Sequence, residues 1–142
     1  PRDPAAPILP AATLGRIGVE AATLTAGGLG VYALSRRRHG PGPAGGHAFT
    51  ALTLGQLLHA ISARSEARVL RGPPRPPNPY LAGALAGSVG AQLLATGTPA
   101  LRGLLGTAPL GWRDGLTIAA GAGLPLLLNE ATKPPPFQEE AP

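Results

Sequence analysis

Apolar stretches rich in Ala, Leu and Gly alternate along this chain with short segments dense in Pro, Gly and Arg. Four such stretches stand out, over residues 15–34, 48–63, 80–101 and 115–128. Each is near the roughly 20 residues that a bilayer core requires. The separators HGPGPAGGH and RGPPRPPNP, and a looser segment containing Thr98-Pro99 and Ala108-Pro109, are turn-forming. The pattern predicts an all-α integral membrane fold of four transmembrane helices in up-down order. Residues 115–128 are short enough for a buried soluble helix, but Trp112 just before them suits an interfacial anchor.

Within HAFTALTLGQLLHAISARSE, Thr53, Gln56, His59 and Ser62 recur at three-residue steps, while Leu52, Leu54, Leu57, Leu58 and Ile61 occupy other positions. The spacing predicts one polar helix face, and in lipid such a face must look inward. Small residues recur at four-residue steps: Gly18, Ala22, Ala26 and Gly30, then Gly83, Gly87, Ala91 and Ala95, then Gly115, Ala119 and Gly123. Such ladders let backbones approach closely, although Gly and Ala are common enough here to produce them by composition. Arg16 and Glu20 are placed for an ion pair along one helix at the first span's entrance. Asn129 and Glu130, at the last span's exit, read as hydrated interface residues in the same way.

Composition sharpens this picture. The 142 residues include 21 Gly and only two Phe, poor material for a water-soluble core and good material for close helix packing in a bilayer. Twelve basic residues stand against seven acidic ones. The arginines fall between apolar blocks, with Arg36, Arg37 and Arg38 after the first and Arg64, Arg68, Arg71 and Arg75 after the second. Without a continuous basic surface or interleaved aromatics, this arrangement argues against nucleic acid as a partner. Cysteine is absent, which excludes disulfides, thiolate metal sites and a cysteine nucleophile. The opening PRDPAAPILP lacks both a signal-peptide pattern and a starting Met, so a fragment of a longer chain is expected.

Taken in order, these segments resemble the C-terminal membrane region of cation-transporting, calcium-pump-like P-type ATPases. PRDPAAPIL resembles the cytosolic loop after the sixth membrane helix, and AFTALTLGQLLHAISARSE the eighth helix with its polar exit. PYLAGALAGSVGAQLL and LRGLLGTAPLGW resemble the ninth helix and the following loop, and LLLNEATK the end of the tenth helix. The resemblance implies a cytosolic loop over residues 1–14 and a transmembrane domain over 15–133, in a bacterial plasma membrane, while the tail over 134–142, PPPFQEEAP, reads as disordered from its composition. Its implied partners are the lipid bilayer and the remaining helices and cytosolic domains of the pump. No cofactor is expected on this chain, since Mg2+ and ATP would be used by the missing domains. An autonomous small membrane protein that regulates a membrane partner is the alternative.

No residue here is expected to be catalytic, because the family's phosphorylated Asp and nucleotide-binding domain lie upstream of the matched region. A phosphate-binding Gly-rich loop is absent, the three histidines lack metal-ligand spacing, and His59 with Ser62 has no orienting acid nearby in sequence. Gln56 is the ion-binding candidate, supported by Thr53, His59 and Ser62. In pumps with two calcium sites the position it resembles carries a ligating Glu, whereas an amide offers one neutral carbonyl. Calcium is the leading expected ion, with manganese or magnesium behind it.

Overall fold

The computed structural model describes residues 11–64, 70, 76–105 and 107–133. Among them the chain is all-helical: α1 (Ala11–His39), α2 (Pro41–Ser62), α3 (Pro79–Gly97), α4 (Pro99–Leu105) and α5 (Trp112–Thr132). The loop expected over residues 1–14 lies outside the described residues up to position 10, and the expected tail lies wholly outside them.

Three helices form the body. The α1–α2 hairpin packs against α5, while α3 rests on α2 and on short α4. The end of α1 meets the starts of α2 and α5 through Ser35–His47 and His39–Asp114 contacts. Ser62 at the end of α2 meets Glu130 near the end of α5, and Gln92 late in α3 meets Thr50 early in α2. The four long helices therefore alternate in direction.

HGPGPAGGH is not the turn its composition predicts. Only Gly40 is non-helical, with a φ of 81° that a side chain would strain, and its N–H donates to the Arg36 carbonyl at 3.0 Å. Pro41 then opens α2, where a missing N–H costs nothing because the first turn has no intrahelical acceptor for it. Thr98, extended before Pro99, breaks the helix there as its turn-forming sequence suggests, so the stretch read over 80–101 ends at Gly97 and a separate α4 follows. The last span is longer than its apolar core, with 21 helical residues. Asp114 starts it by accepting the Gly111 N–H at 3.0 Å.

The core is small, with Val31, Ala51 and Ile118 at its centre and Leu54 and Leu110 packed around them. Close approach rests on glycines other than the predicted ladders. Gly27 and Gly121 face each other across α1 and α5, Gly28 lies under Leu52, and Gly55 under Leu24 and Ala122. By contrast Gly18, Gly30, Gly83, Gly87, Gly115 and Gly123 have open space where a side chain would stand. Ala22, Ala26, Ala91 and Ala119 are exposed, and Ala95 is half-buried. The difference is one of register: a four-residue step advances about 40° beyond a full turn, so a long ladder leaves the seam where two helices touch.

Polarity is inverted relative to a water-soluble bundle. Ser35, His47, Thr50, Ser62, Gln92, Asp114, Asn129, Glu130 and Lys133 are buried, while Val19, Leu29, Phe49, Leu93, Leu104 and Leu116 are exposed. By length and apolarity alone, one helix among the described residues is suited to cross a bilayer, over Thr13–His39. At 22, 19 and 21 residues, α2, α3 and α5 have the length without equal hydropathy.

Candidate functional site

Polar side chains cluster at three levels between α1, α2 and α5. At the level where α2 and α5 end, the Ser62 hydroxyl donates to Glu130 Oε1 at 2.5 Å and accepts from Asn129 Nδ2 at 3.1 Å. Lys133 Nζ donates to the Ser62 carbonyl at 2.5 Å, to Ser62 Oγ at 2.8 Å and to Glu130 Oε1 at 2.8 Å. The Leu70 N–H donates to Glu130 Oε2 at 2.9 Å. The Ser62 carbonyl is one of the last four of α2, which have no intrahelical donor, and a cation there also complements the helix dipole. Lys133, just past the end of α5, thus caps α2.

One step inward, Glu20 joins α1 to α2. Its carboxylate accepts from Arg16 Nε at 3.0 Å and lies 3.5 Å from His59 Nε2. The expected Arg16–Glu20 pair forms, and His59 is added to it by the fold.

At the opposite level, Ser35 Oγ and His47 Nδ1 share a 2.7 Å hydrogen bond, and His39 Nε2 donates to Asp114 Oδ1 at 2.8 Å. The two imidazoles meet edge to face with centroids 5.7 Å apart. Both His47 and Asp114 precede the stretches read as spans. Burial pushes the His47 imidazole below its ordinary value, with nearby His39 adding to this and Asp114 opposing it. Burial alone would raise the Asp114 carboxyl. The His39 hydrogen bond, the Gly111 N–H and the neighbouring imidazoles together outweigh it, and the carboxyl is held below its usual range. No group of three or more His, Cys, Asp or Glu side chains placed to hold a metal ion occurs among the described residues.

A family model described as cation transporting ATPase, C-terminus, matches residues 1–134. The chain belongs to that family. A search of curated proteins finds no match.

Against that family, the polar residues of α2 are placed unequally. Ser62 is buried in the Glu130–Lys133 cluster, His59 and Thr53 are half-buried, and Gln56 is exposed with no hydrogen bond among the described residues. They do not share one inward face. Each three-residue step falls about 60° short of a full turn, so four residues spread over half the helix circumference. Asn129 and Glu130, read as hydrated, are each 6% exposed and belong to the buried cluster.

Sequence reasoning missed Lys133, Ser35, His47 and Asp114. Asp114 had a local signal, an acidic residue in the first turn of a helix. Ser35 and His47 are distant in sequence and adjacent only because the chain reverses at Gly40. Gln92 is likewise buried by donating from Nε2 to Thr50 Oγ1 at 3.0 Å.

Proposed function

We propose that this chain is the C-terminal transmembrane portion of a P-type cation-transporting ATPase of the calcium-pump type, with a cytosolic loop over residues 1–14, a membrane domain over 15–133 and a short tail. The four long helices cross the bilayer and support the ion-translocating helices, with no catalysis by this chain itself. The observation that carries this reading, beside family membership, is the inverted polarity of the bundle. Apolar side chains facing outward on every long helix have no reason to be there in water, whereas lipid is as apolar as they are. Buried polar groups paired between helices are what a bilayer interior demands.

Gln56 fits the supporting role. It is exposed on α2, accessible to a further helix of the pump, and its amide oxygen is a hard-cation ligand type. In a pump carrying this region, Gln56→Ala should raise the cation concentration giving half-maximal phosphorylation, and Gln56→Glu should shift its pH dependence. Unchanged cation dependence in both variants at normal expression would remove Gln56 from the ion path.

The four-span arrangement is tested by labelling single cysteines at positions 6, 42, 72 and 141. Ala6→Cys, Gly72→Cys and Ala141→Cys should react from one side of the membrane, and Gly42→Cys, on an exposed face of α2, from the other. Reaction of positions 6 and 141 from opposite sides would defeat the reading.

A further inference from the structure

An open groove of about 830 Å3 runs between α1 and α5, bordered by Ala26, Gly30, Leu34, Leu116 and Leu124 and floored by Gly27 and Gly121. Its size lies within the roughly 300–1,000 Å3 of small-molecule sites. Its lining is almost wholly apolar. Near the end of α1 it adjoins a second, polar hollow of about 520 Å3, formed by Arg38, Trp112 and Arg113 together with His39, Gly111 and Asp114. One contact joins the two: Arg38 Nη1 donates at 3.1 Å to the hydroxyl of Thr117, a residue that also lines the apolar groove.

The charge of the hollow is one-sided. The Asp114 carboxylate is only 6% exposed and is engaged by His39 and the Gly111 N–H. The exposed charges are those of Arg38, Arg113 and the neighbouring Arg36 and Arg37. Arg113 stacks over the exposed Trp112 ring, 5.1 Å from its centroid. A basic mouth with an amphipathic aromatic at its rim, opening into an apolar channel, has the chemistry of neither a water-soluble metabolite site nor a plain helix–helix seam. An apolar helix laid in the groove would leave the arginines without a counter-charge.

We propose that this groove binds one anionic phospholipid, with its phosphate between Arg38 and Arg113, Trp112 at headgroup level and an acyl chain along the α1–α5 seam. The inference rests on the membrane reading above. Arginines attract anionic headgroups, tryptophan prefers the membrane interface, and the absence of side chains at Gly30 and Gly123 leaves room for a chain. Ala26, Gly30, Ala119 and Gly123, four members of the small-residue ladders, thereby line a lipid channel.

The test uses the 142-residue chain purified in detergent and offered equal amounts of phosphatidylglycerol and phosphatidylcholine, with retained lipid read by native mass spectrometry. One phosphatidylglycerol should be retained in preference to phosphatidylcholine. Arg38→Gln and Arg113→Gln should each weaken that retention about fivefold and leave phosphatidylcholine unaffected. Gly30→Leu, entering a groove with no atom within 4 Å of its new Cβ, should abolish retention of either lipid, while the equally open Gly87→Leu on α3 should change nothing. Circular dichroism confirms that each variant remains helical.

Equal retention of both lipids, or a Gly30→Leu chain that still holds lipid, would overturn the proposal. Displacement of the lipid by an equal concentration of soluble glycerol phosphate would do so too, assigning the mouth to a free phosphate. Absence of the lipid from an intact pump carrying this region would give the groove to another helix. Carbonate washing of membranes tests membrane residence separately, so the two readings can fail independently.

Discussion

Replacing Gly27 by Ala probes the close contact between α1 and α5. The new Cβ would collide with the Gly121 carbonyl oxygen and lie 3.3 Å from both the Gly121 carbonyl carbon and Pro125 Cγ. None of these atoms is the yielding end of a long side chain. Pro125 also explains why that oxygen is available: proline has no N–H to occupy the carbonyl four residues earlier, which here belongs to Gly121. Recovering ordinary van der Waals separation, roughly 3.5 Å, requires α1 and α5 to move apart by about 1 Å, away from the packing around Val31 and Ile118. Overpacking of this kind costs about 1–3 kcal/mol. Alanine's better helix propensity returns about 1 kcal/mol, leaving a net loss of up to about 2 kcal/mol. Gly30→Ala is the control, since open space surrounds that position and only the propensity gain remains. Unfolding of the chain in mixed detergent micelles by added dodecyl sulfate, followed by circular dichroism, should therefore place Gly27→Ala below the parent and Gly30→Ala at or above it. A Gly27→Ala chain as stable as Gly30→Ala would refute the packing argument.

Further expectations concern the buried polar clusters. Lys133→Ala should cost about 3–5 kcal/mol in the same assay, because it removes a buried cation hydrogen-bonded to Glu130 and the Ser62 carbonyl; a loss below 1 kcal/mol would mean that the network is replaceable by water. Stability should fall on acidification in two stages. His47 is held neutral by burial, so its contribution is complete above its unfolded value near 6.5 and is lost as pH falls below that. Asp114 is held ionised, so its contribution persists above its unfolded value, about 3.9, and is lost as pH drops through its lower folded value. Midpoints measured from pH 8 to 3 check both, and His47→Gln should flatten the first stage alone; stability that rises toward pH 5 in the parent would contradict this account.

The all-helical class, the separation of four apolar segments and the break at Thr98-Pro99 were readable from local pattern, because helix length, proline geometry and apolar runs are properties of neighbouring residues. The Arg16–Glu20 pair was readable for the same reason, lying within one helix. Helix ends were less legible. Residues 41–47 look like a loop by composition, yet Pro41 and its glycines stand in the opening turns of a helix, where proline's missing N–H is harmless. Asn129 and Glu130 look like hydrated termini until Lys133 and Ser62 meet them.

Which face of each helix turns inward was decided by tertiary structure alone. Sequence periodicity gives the relative angle between residues on a helix, but the zero of that angle is set by the neighbour against which the helix packs. Gly27, Gly28, Gly55 and Gly121 are the contact glycines because α1, α2 and α5 cross there, and no local pattern separates them from Gly18 or Gly30. For the same reason Gln56 is exposed and Ser62, six residues on, is buried: the sequence determined that α2 carries polar residues, and the packing of α1 and α5 determined which of them a buried network would use.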